Sequence, residues 1–474
     1  MANELAMFHA IGLYEEVPHP PDRKIIDLKW VYKIKQGPTG DVDKYKAQLI
    51  TKGLTQVHGI DYMETFAPVA KFSTIRTLLT LAAMFDLEIH QMDVKSTFLN
   101  GKLEEEIYLH PPGFRDSSDV VWHLYHALYG LKQAPKAWYN RLREVFESLG
   151  FTCSDADHSL FYKDKNGILI IVAVYVDNKL ILSKSCKAID CLKVQLSAEY
   201  DLSDLGKAQW ILSMEIIKLI LECMGMQDGR TVSTPIEQNL KLEKLDTPAY
   251  DLHAYQSALG ALMYAMLATQ PDLAFTVGVL SRHAATPGDQ HWTKLKQVYR
   301  YLRKTVDVCL QYTRDFASSL VGYADADWAA DVNDCCSVTG YVFTLSGGAV
   351  SWSSKKQTSV ALSSTEAEYM AVSAAAKEIL WLRMLLHELD MDMTTQPTSL
   401  LVDNQSAIAL TSNAMFHNRT KHIAIRHYFI CKKVEDGEVD VKYISMNEQI
   451  TNVLTKGLSC EKHECFSLGM GIIF

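Results

Sequence analysis

The sequence predicts an α+β fold in two or three domains, and three observations carry that reading. At 474 residues, 48% hydrophobic and 22% charged, the chain can bury more than one substantial core. Short apolar runs rich in β-branched residues end at Gly, Pro, Asp or Asn, as strands do. Between them stand segments whose apolar residues recur at a period of about 3.6, the pattern of helices packed on one face. Composition also excludes several classes. No run of about 18 apolar residues and no charged start followed by an apolar stretch occurs, so neither a membrane span nor a secretory signal is expected. An intracellular, non-secreted protein follows by default. The ten cysteines are scattered without a CxxC pair, which argues against a zinc cage and against a disulfide framework. The formal charge of −9 opposes simple phosphate binding, so a nucleic-acid function needs a locally basic groove or cations held by acidic residues.

In chain order, LKWVYKIK (28–35) reads as a strand that turns at Gly37-Pro38 into DKYKAQLITKGL (43–54). Alternation there puts Tyr45, Ala47 and Leu49 on one face and Lys44, Lys46 and Gln48 on the other, an edge that can meet phosphate. Thr74 is positioned to cap a helix, TIRTLLTLAAMFD, with apolar residues at 75, 78, 79, 82 and 85. LEIHQMDVKSTFLNG (87–101) alternates as a strand until Asp93, where a turn begins. Residues 127–150 read as a Gly-containing turn and an amphipathic helix. IVAVYVDNKLIL (171–182) reads as a hairpin with Asp177-Asn178 at its tip, since both residues tolerate turn conformations. Two carboxylates at strand ends, Asp93 and Asp177, repel unless protonated or neutralised, and Mg²⁺ suits oxygen ligands of this kind.

Residues 231–310 read as a helical connector, with SALGALMYAML and a helix from His291 to Arg303. SLVGYADADWA (319–329) is an alternating strand carrying Asp325 near its end. GYVFTLSGGAVSWSSK (340–355) reads as a hairpin turning at Gly347-Gly348. Ser364 and Thr365 open a long helix with Glu366 and Glu368 in its first turn, where acids complement the helix dipole. SLLVDNQSAIAL then delivers Asp403 at a strand tip.

Taken together, WVYKIK, YKAQLITKG, ETFAPVAKFSTIRTLL, QMDVKSTFLNGKLEEEIY, ALYGLKQAPKAWY and YVDN resemble the reverse transcriptase of copia-type LTR retrotransposons. The resemblance continues through SALGALMYAMLATQPDLAF and HWTKLKQVYRYL. It ends in the ribonuclease H of that family, with GYADADWAAD, SGGAVSWSSKKQTSVALSSTEAEYMA, VDNQSAIAL, KHIAIRHYFI and NEQITNVLTKGL. Motifs of this length, in order over nearly the whole chain, are highly specific.

The resemblance implies right-hand polymerase fingers and palm over residues 1–230, a thumb-like connection over 231–310, and a ribonuclease H-like α/β domain with a mixed sheet over 311–474. It implies Mg²⁺ or Mn²⁺ as cofactor, with Asp93 and Asp177 as polymerase ligands and Asp325, Glu368 and Asp403 as ribonuclease ligands. Lys46, Phe98 and Gln133 fall on positions that serve the incoming nucleotide, Phe98 by excluding a ribose 2′-hydroxyl. His422, in KHI, is a candidate for product release. The implied partners are an RNA template, a DNA primer, their RNA–DNA hybrid and dNTPs, with no membrane. The implied setting is the cytoplasm, in a virus-like particle, or the nucleus; the oligomeric state stays open.

The departures matter as much. Asn178 stands where the family carries a second aspartate, removing one negative charge from the cation site. Gln48 replaces the arginine of YKARL, and Asn452 and Ala424 replace acids in the ribonuclease half. After QWILSMEI (209–216) the chain passes almost directly to KLILECMGMQDGRTVSTP, without the hairpin that positions a primer in the family. A truncated, degenerate remnant is therefore expected, with polymerase activity impaired and hybrid cleavage better preserved. The alternative is a protein that binds nucleic acid without chemistry.

Overall fold

The computed structural model describes residues 1–36, 42–112, 120–208, 216–315, 318–389, 393–412 and 424–474. His422 and residues 209–215, at the shortened junction, lie outside the described residues. The chain divides into two compact units, one formed by residues 1–70 and 88–208, the other by 71–87 and 209–474.

The first unit is built on a six-stranded antiparallel sheet in the order Leu202–Lys207, Glu88–Val94, Asn178–Ser183, Ile168–Tyr175, Leu160–Lys165 and Thr152–Cys153. One face carries the helices Ala134–Ser148 and Cys186–Glu199. Trp138, Leu142, Phe146, Ile189 and Leu192 close over Met92, Val172, Val174 and Ile181 to make its core. A second core forms around a four-stranded sheet of Tyr14–Pro18, Val120–His126, Lys102–Leu109 and Ile25–Ile26. The Leu28–Gln36 and Val42–Thr51 strands pair as a ribbon, with Leu49 buried and Tyr45 and Lys46 exposed. At Gly130 the backbone has φ +95° and lies so close to Thr51 that a Cβ would meet its carbonyl oxygen at 2.3 Å. That contact fixes the turn leading to Gln133.

The second unit holds a five-stranded mixed sheet in the order Gly348–Lys356, Val338–Leu345, Val321–Asp327, Thr398–Val402 and Val439–Tyr443. Its first three strands are antiparallel and its last two run parallel to Val321–Asp327. The 25-residue helix Ser364–Glu388, capped by the Ser363 hydroxyl accepting from the Glu366 N–H, covers the sheet. The expected helical connector is present as Leu252–Ala268, Ala274–Ser281 and Asp289–Lys304 around a shared apolar core. The helix Phe72–Phe85 also belongs here. Its buried Arg76 donates to the carbonyls of Val350, Leu267 and Ala268 and stacks on Trp352 with the guanidinium 3.7 Å from the ring centre.

Both expected hairpin tips fall one residue earlier than the sequence reading places them. Tyr175 pairs with Asn178, so the loop residues are Val176 and Asp177, and Leu345 pairs with Gly348, so they are Ser346 and Gly347. In each case a residue read as turn-forming is drawn into the ladder. Asn178 pairs with Asp93 on its other side, and Gly348 packs so tightly that a Cβ would meet Gln311 O at 2.5 Å. Ser346 and Gly347 both take positive φ, which matches a type I′ turn. Thr74 is not a cap: the helix begins at Phe72, and Thr74 is buried within it. Among the described residues no helix is long and apolar enough to cross a membrane.

Candidate active sites

The first site is the tip of the central hairpin in the first unit. Register places Asp93 directly opposite Asn178, and the Val94 N–H donates to the Asp177 carbonyl at 3.1 Å, so both aspartates stand at one end of the sheet. The turn is held by a backbone outlier. Val176 has φ +57°, costly for a β-branched residue, and its carbonyl accepts from the Trp138 indole at 3.0 Å. The Asn178 side chain is engaged at both ends, its Oδ1 accepting from Gln91 Nε2 at 2.9 Å and its Nδ2 donating to Asp177 Oδ1 at 3.3 Å.

Strand alternation turns the next residue inward. Lys179 is fully buried, 5.1 Å from the Trp138 ring, and its ammonium has no hydrogen-bond partner. Burial drives its pKa down to about 7, against the upward pull of Asp177 and Asp93. Desolvation therefore outweighs both carboxylates. Tyr129, in edge contact with Phe98 at 5.0 Å between ring centres, is pushed up to about 12 by burial and by Asp177, Glu4 and Asp93.

The nucleotide-contact candidates are placed differently from one another. Phe98 is half-buried against both cores of the unit, whereas Lys46 is exposed on the ribbon. Gln133 is buried, donating to the Asp61 carbonyl at 3.0 Å and accepting from Gln56 Nε2 at 3.0 Å, so its amide is spent on protein partners.

The second site lies in the second unit, where Asp325 from a strand, Glu368 from the first turns of the long helix and Asp403 from a strand end converge. One ligand oxygen of each lies within 4.8 Å of the others. Asp325 and Glu368 are buried, and Glu368 Oε2 is sealed from solvent without a hydrogen-bond partner. Burial first, then Asp325 and Asp403, push the Glu368 carboxyl up to about 9, and Asp403 is raised by burial and by Asp325. A buried carboxyl with one unpartnered oxygen among other carboxylates is the electrostatic arrangement that a divalent cation completes.

A C-terminal segment closes the site from beside. Gln449 Nε2 donates to the Ala324 carbonyl at 2.9 Å, tying the turn Ile450–Leu454 to the Asp325 strand. The Thr455 hydroxyl donates to Asp325 Oδ2, and Lys456 Nζ stands 3.7 Å from the same oxygen. Asn452 is buried in this turn, its Nδ2 donating to the Met446 carbonyl at 3.0 Å and its Oδ1 left without a hydrogen-bond partner.

A further group, Glu88, His90 and Cys186, also brings ligand atoms within 4.8 Å of one another. Lysines already serve it: Lys207 pairs with Glu88 at 2.8 Å and Lys193 donates to His90 Nδ1 at 2.7 Å, so the charge balance does not call for a cation.

Sequence reasoning missed Lys179, Trp138, Tyr129, Thr455 and Lys456. Lys179 left a trace, since alternation from the half-buried Asn178 turns it toward the core; the other four show their roles only through tertiary contacts.

The profile of a family described as Reverse transcriptase (RNA-dependent DNA polymerase) matches residues 12–228. The Retrovirus-related Pol polyprotein from transposon TNT 1-94 of Nicotiana tabacum is 41% identical, covering 98% of this chain and 37% of its own length. That from transposon RE2 of Arabidopsis thaliana is 36% identical over 96% of this chain and 32% of its own length. A transposon Ty5-1 protein of Saccharomyces cerevisiae is 34% identical over 61% of this chain and 100% of its own length. The chain thus spans about a third of the length of the polyproteins it matches. Among solved structures, a foamy viral protease-reverse transcriptase in complex with double-stranded DNA covers 92% of this chain and 68% of its own at a TM-score of 0.48 and 12% identity.

Proposed function

Because the chain belongs to the copia-type retrotransposon Pol polyproteins, we propose that its surviving chemistry is hydrolysis of the RNA strand of an RNA–DNA hybrid at Asp325, Glu368 and Asp403, with DNA synthesis impaired. The observation that carries this is the unpartnered, buried Glu368 oxygen inside a converging triad of carboxylates. Mg²⁺ or Mn²⁺ fits that donor set, and the chemistry such a cation supplies is activation of water and stabilisation of the leaving oxygen. The residues of the chain do the rest. Thr455 fixes the orientation of Asp325, and the strand and helix backbones hold the three carboxylates convergent.

The palm site has a different balance. Two carboxylates, an amide whose oxygen is already bonded to Gln91, and a buried ammonium beneath them do not fit a centre for two divalent cations. In this reading residues 1–230 are fingers and palm, 231–310 the connection and 311–474 the ribonuclease H-like domain. Lys46 retains access to phosphates and Phe98 is the half-buried aromatic against Tyr129, whereas Gln133 reaches a nucleotide only by releasing Gln56 and Asp61. RNA template, DNA primer and dNTPs are ancestral partners; the hybrid is the present one.

The test is paired. With Mg²⁺ or Mn²⁺ the full chain is expected to cleave a labelled hybrid and fail to extend oligo(dT) on poly(rA), and Asp325→Asn with Asp403→Asn is expected to abolish cleavage while hybrid binding persists. Asn452→Asp should raise cleavage, whereas Asn178→Asp should not restore synthesis. Hybrid binding without any cleavage by the unaltered chain refutes the proposal and leaves a binding protein. Primer extension at the rate of an intact relative refutes the second half.

A further inference from the structure

The ribonuclease centre carries a cation of its own. Asp325 is 2% exposed, yet its Oδ2 receives the Thr455 hydroxyl and faces Lys456 Nζ at 3.7 Å. The Lys456 N–H donates to the Asn452 carbonyl at 3.1 Å, so one helical turn links the position that lost its acid to the residue that supplies an ammonium. The Lys456 ammonium faces a cluster in which one oxygen each of Asp325, Glu368 and Asp403 lies within 4.8 Å of the others. Its side chain is 31% exposed, so the tip can swing away into solvent, whereas the carboxylates it serves are fixed by the sheet and helix.

We propose that Lys456 is the resident counter-ion of the Asp325–Glu368–Asp403 cluster and competes with the divalent cation for Asp325, thereby setting the cation concentration at which the site fills. The inference rests on the reading of these three acids as a cation centre, but not on the centre being catalytically active. A tethered ammonium neutralises part of the charge that attracts a cation and must leave Asp325 before the oxygen can become a ligand. Lys456 acts through Asp325 and is in this sense a positioning residue, distinct from the groups that hold substrate.

The experiment uses the full chain in an Asp93→Asn, Asp177→Asn background, so that Mn²⁺ uptake reports the ribonuclease centre. Mn²⁺ binding is read by electron paramagnetic resonance, and urea midpoints are measured in EDTA for Lys456→Met, Asp325→Asn and the double variant. Lys456→Met is expected to lower the midpoint in EDTA and to tighten Mn²⁺ binding about tenfold, equivalent to about 1.4 kcal/mol. Lys456→Arg should retain the unaltered affinity. In the Asp325→Asn background the substitution at 456 should change both quantities by much less. Mn²⁺ binding that is unchanged or weakened by Lys456→Met overturns the proposal, as does a midpoint change of undiminished size when Asp325 is replaced. A merely structural lysine would lower the midpoint without tightening Mn²⁺. If the Mn²⁺ and stability results hold while no hybrid is cut, the ribonuclease reading fails and the counter-ion stands.

Discussion

Replacing Lys179 by Met should stabilise the first unit, and by an amount that depends on pH. The lysine is fully buried among Met92, Val174 and Trp138, with no hydrogen-bond partner for its ammonium. Its pKa falls from 10.5 to about 7 because burial outweighs Asp177 and Asp93. Below the folded value both folded and unfolded chains hold the proton, and the desolvation penalty is complete. Between 7 and 10.5 the unfolded chain binds more protons than the folded one, so stability rises with pH across that window and the penalty vanishes above it. At about 1.4 kcal/mol per pH unit of displacement, the full penalty is on the order of 5 kcal/mol. Met has similar volume and no charge, so most of this should be recovered. Urea unfolding followed by circular dichroism should show a gain of roughly 3 kcal/mol at about pH 6, shifting the midpoint by ~1–2 M, and little gain at about pH 10. An identical midpoint at the lower pH, or a gain of the same size at both, would refute the argument that an unpartnered ammonium is what the substitution removes.

Two other substitutions probe the second unit. Glu368→Gln should behave in the opposite sense with pH. The Glu368 carboxyl is raised from 4.5 to about 9, so between those values the folded state binds more protons and stability falls as pH rises. In EDTA the Gln variant should gain on the order of 3 kcal/mol near neutral pH and nothing below about pH 4, and Mn²⁺ should stabilise the unaltered chain but not the variant. Urea midpoints in EDTA and in Mn²⁺ check both. Arg76→Met leaves the carbonyls of Val350, Leu267 and Ala268 without their buried donor. It should cost on the order of 3 kcal/mol, seen as faster hydrogen exchange in Phe72–Phe85 and Gly348–Lys356; unchanged exchange in both elements counts against it.

Much of the architecture is legible in the sequence because it depends on local pattern. The strands ending at Asp93 and Asp325, the long helix opening before Glu368 and the hairpin before Asn178 all follow from alternation, period and capping residues. The convergence of Asp325, Glu368 and Asp403 is legible only through the family resemblance, since nothing in spacing brings residues so far apart together. Alternation also fixes which face a side chain takes but not where pairing ends, which is why both hairpin tips were displaced by one residue. The charges were least legible of all. Lys179 reads as a polar residue beside a turn, Arg76 as one residue of an amphipathic helix, and Lys456 as one residue of the NEQITNVLTKGL motif with no role of its own. Each has its meaning in what surrounds it: a core in the first case, three backbone carbonyls in the second, a carboxylate 131 positions earlier in the last.

The helix Phe72–Phe85 has a consequence for how the chain is made and divided. It leaves the ribosome early, yet its partners at Leu267 and Val350 lie 191 and 274 residues further along. Closing such long loops costs little more at equilibrium than closing shorter ones, since the entropy grows only with the logarithm of length. In time the cost is greater, because the buried Arg76 has no native partner until most of the chain has been synthesised. The stretches 1–70 and 88–208 can fold first, together, while the helix between them waits for residues 209–474. A fragment ending near residue 208 would carry this helix without its partners, and one beginning at 209 would lack it. To isolate either unit, the helix has to be transferred along with residues 209–474, because no single cut in the chain separates them.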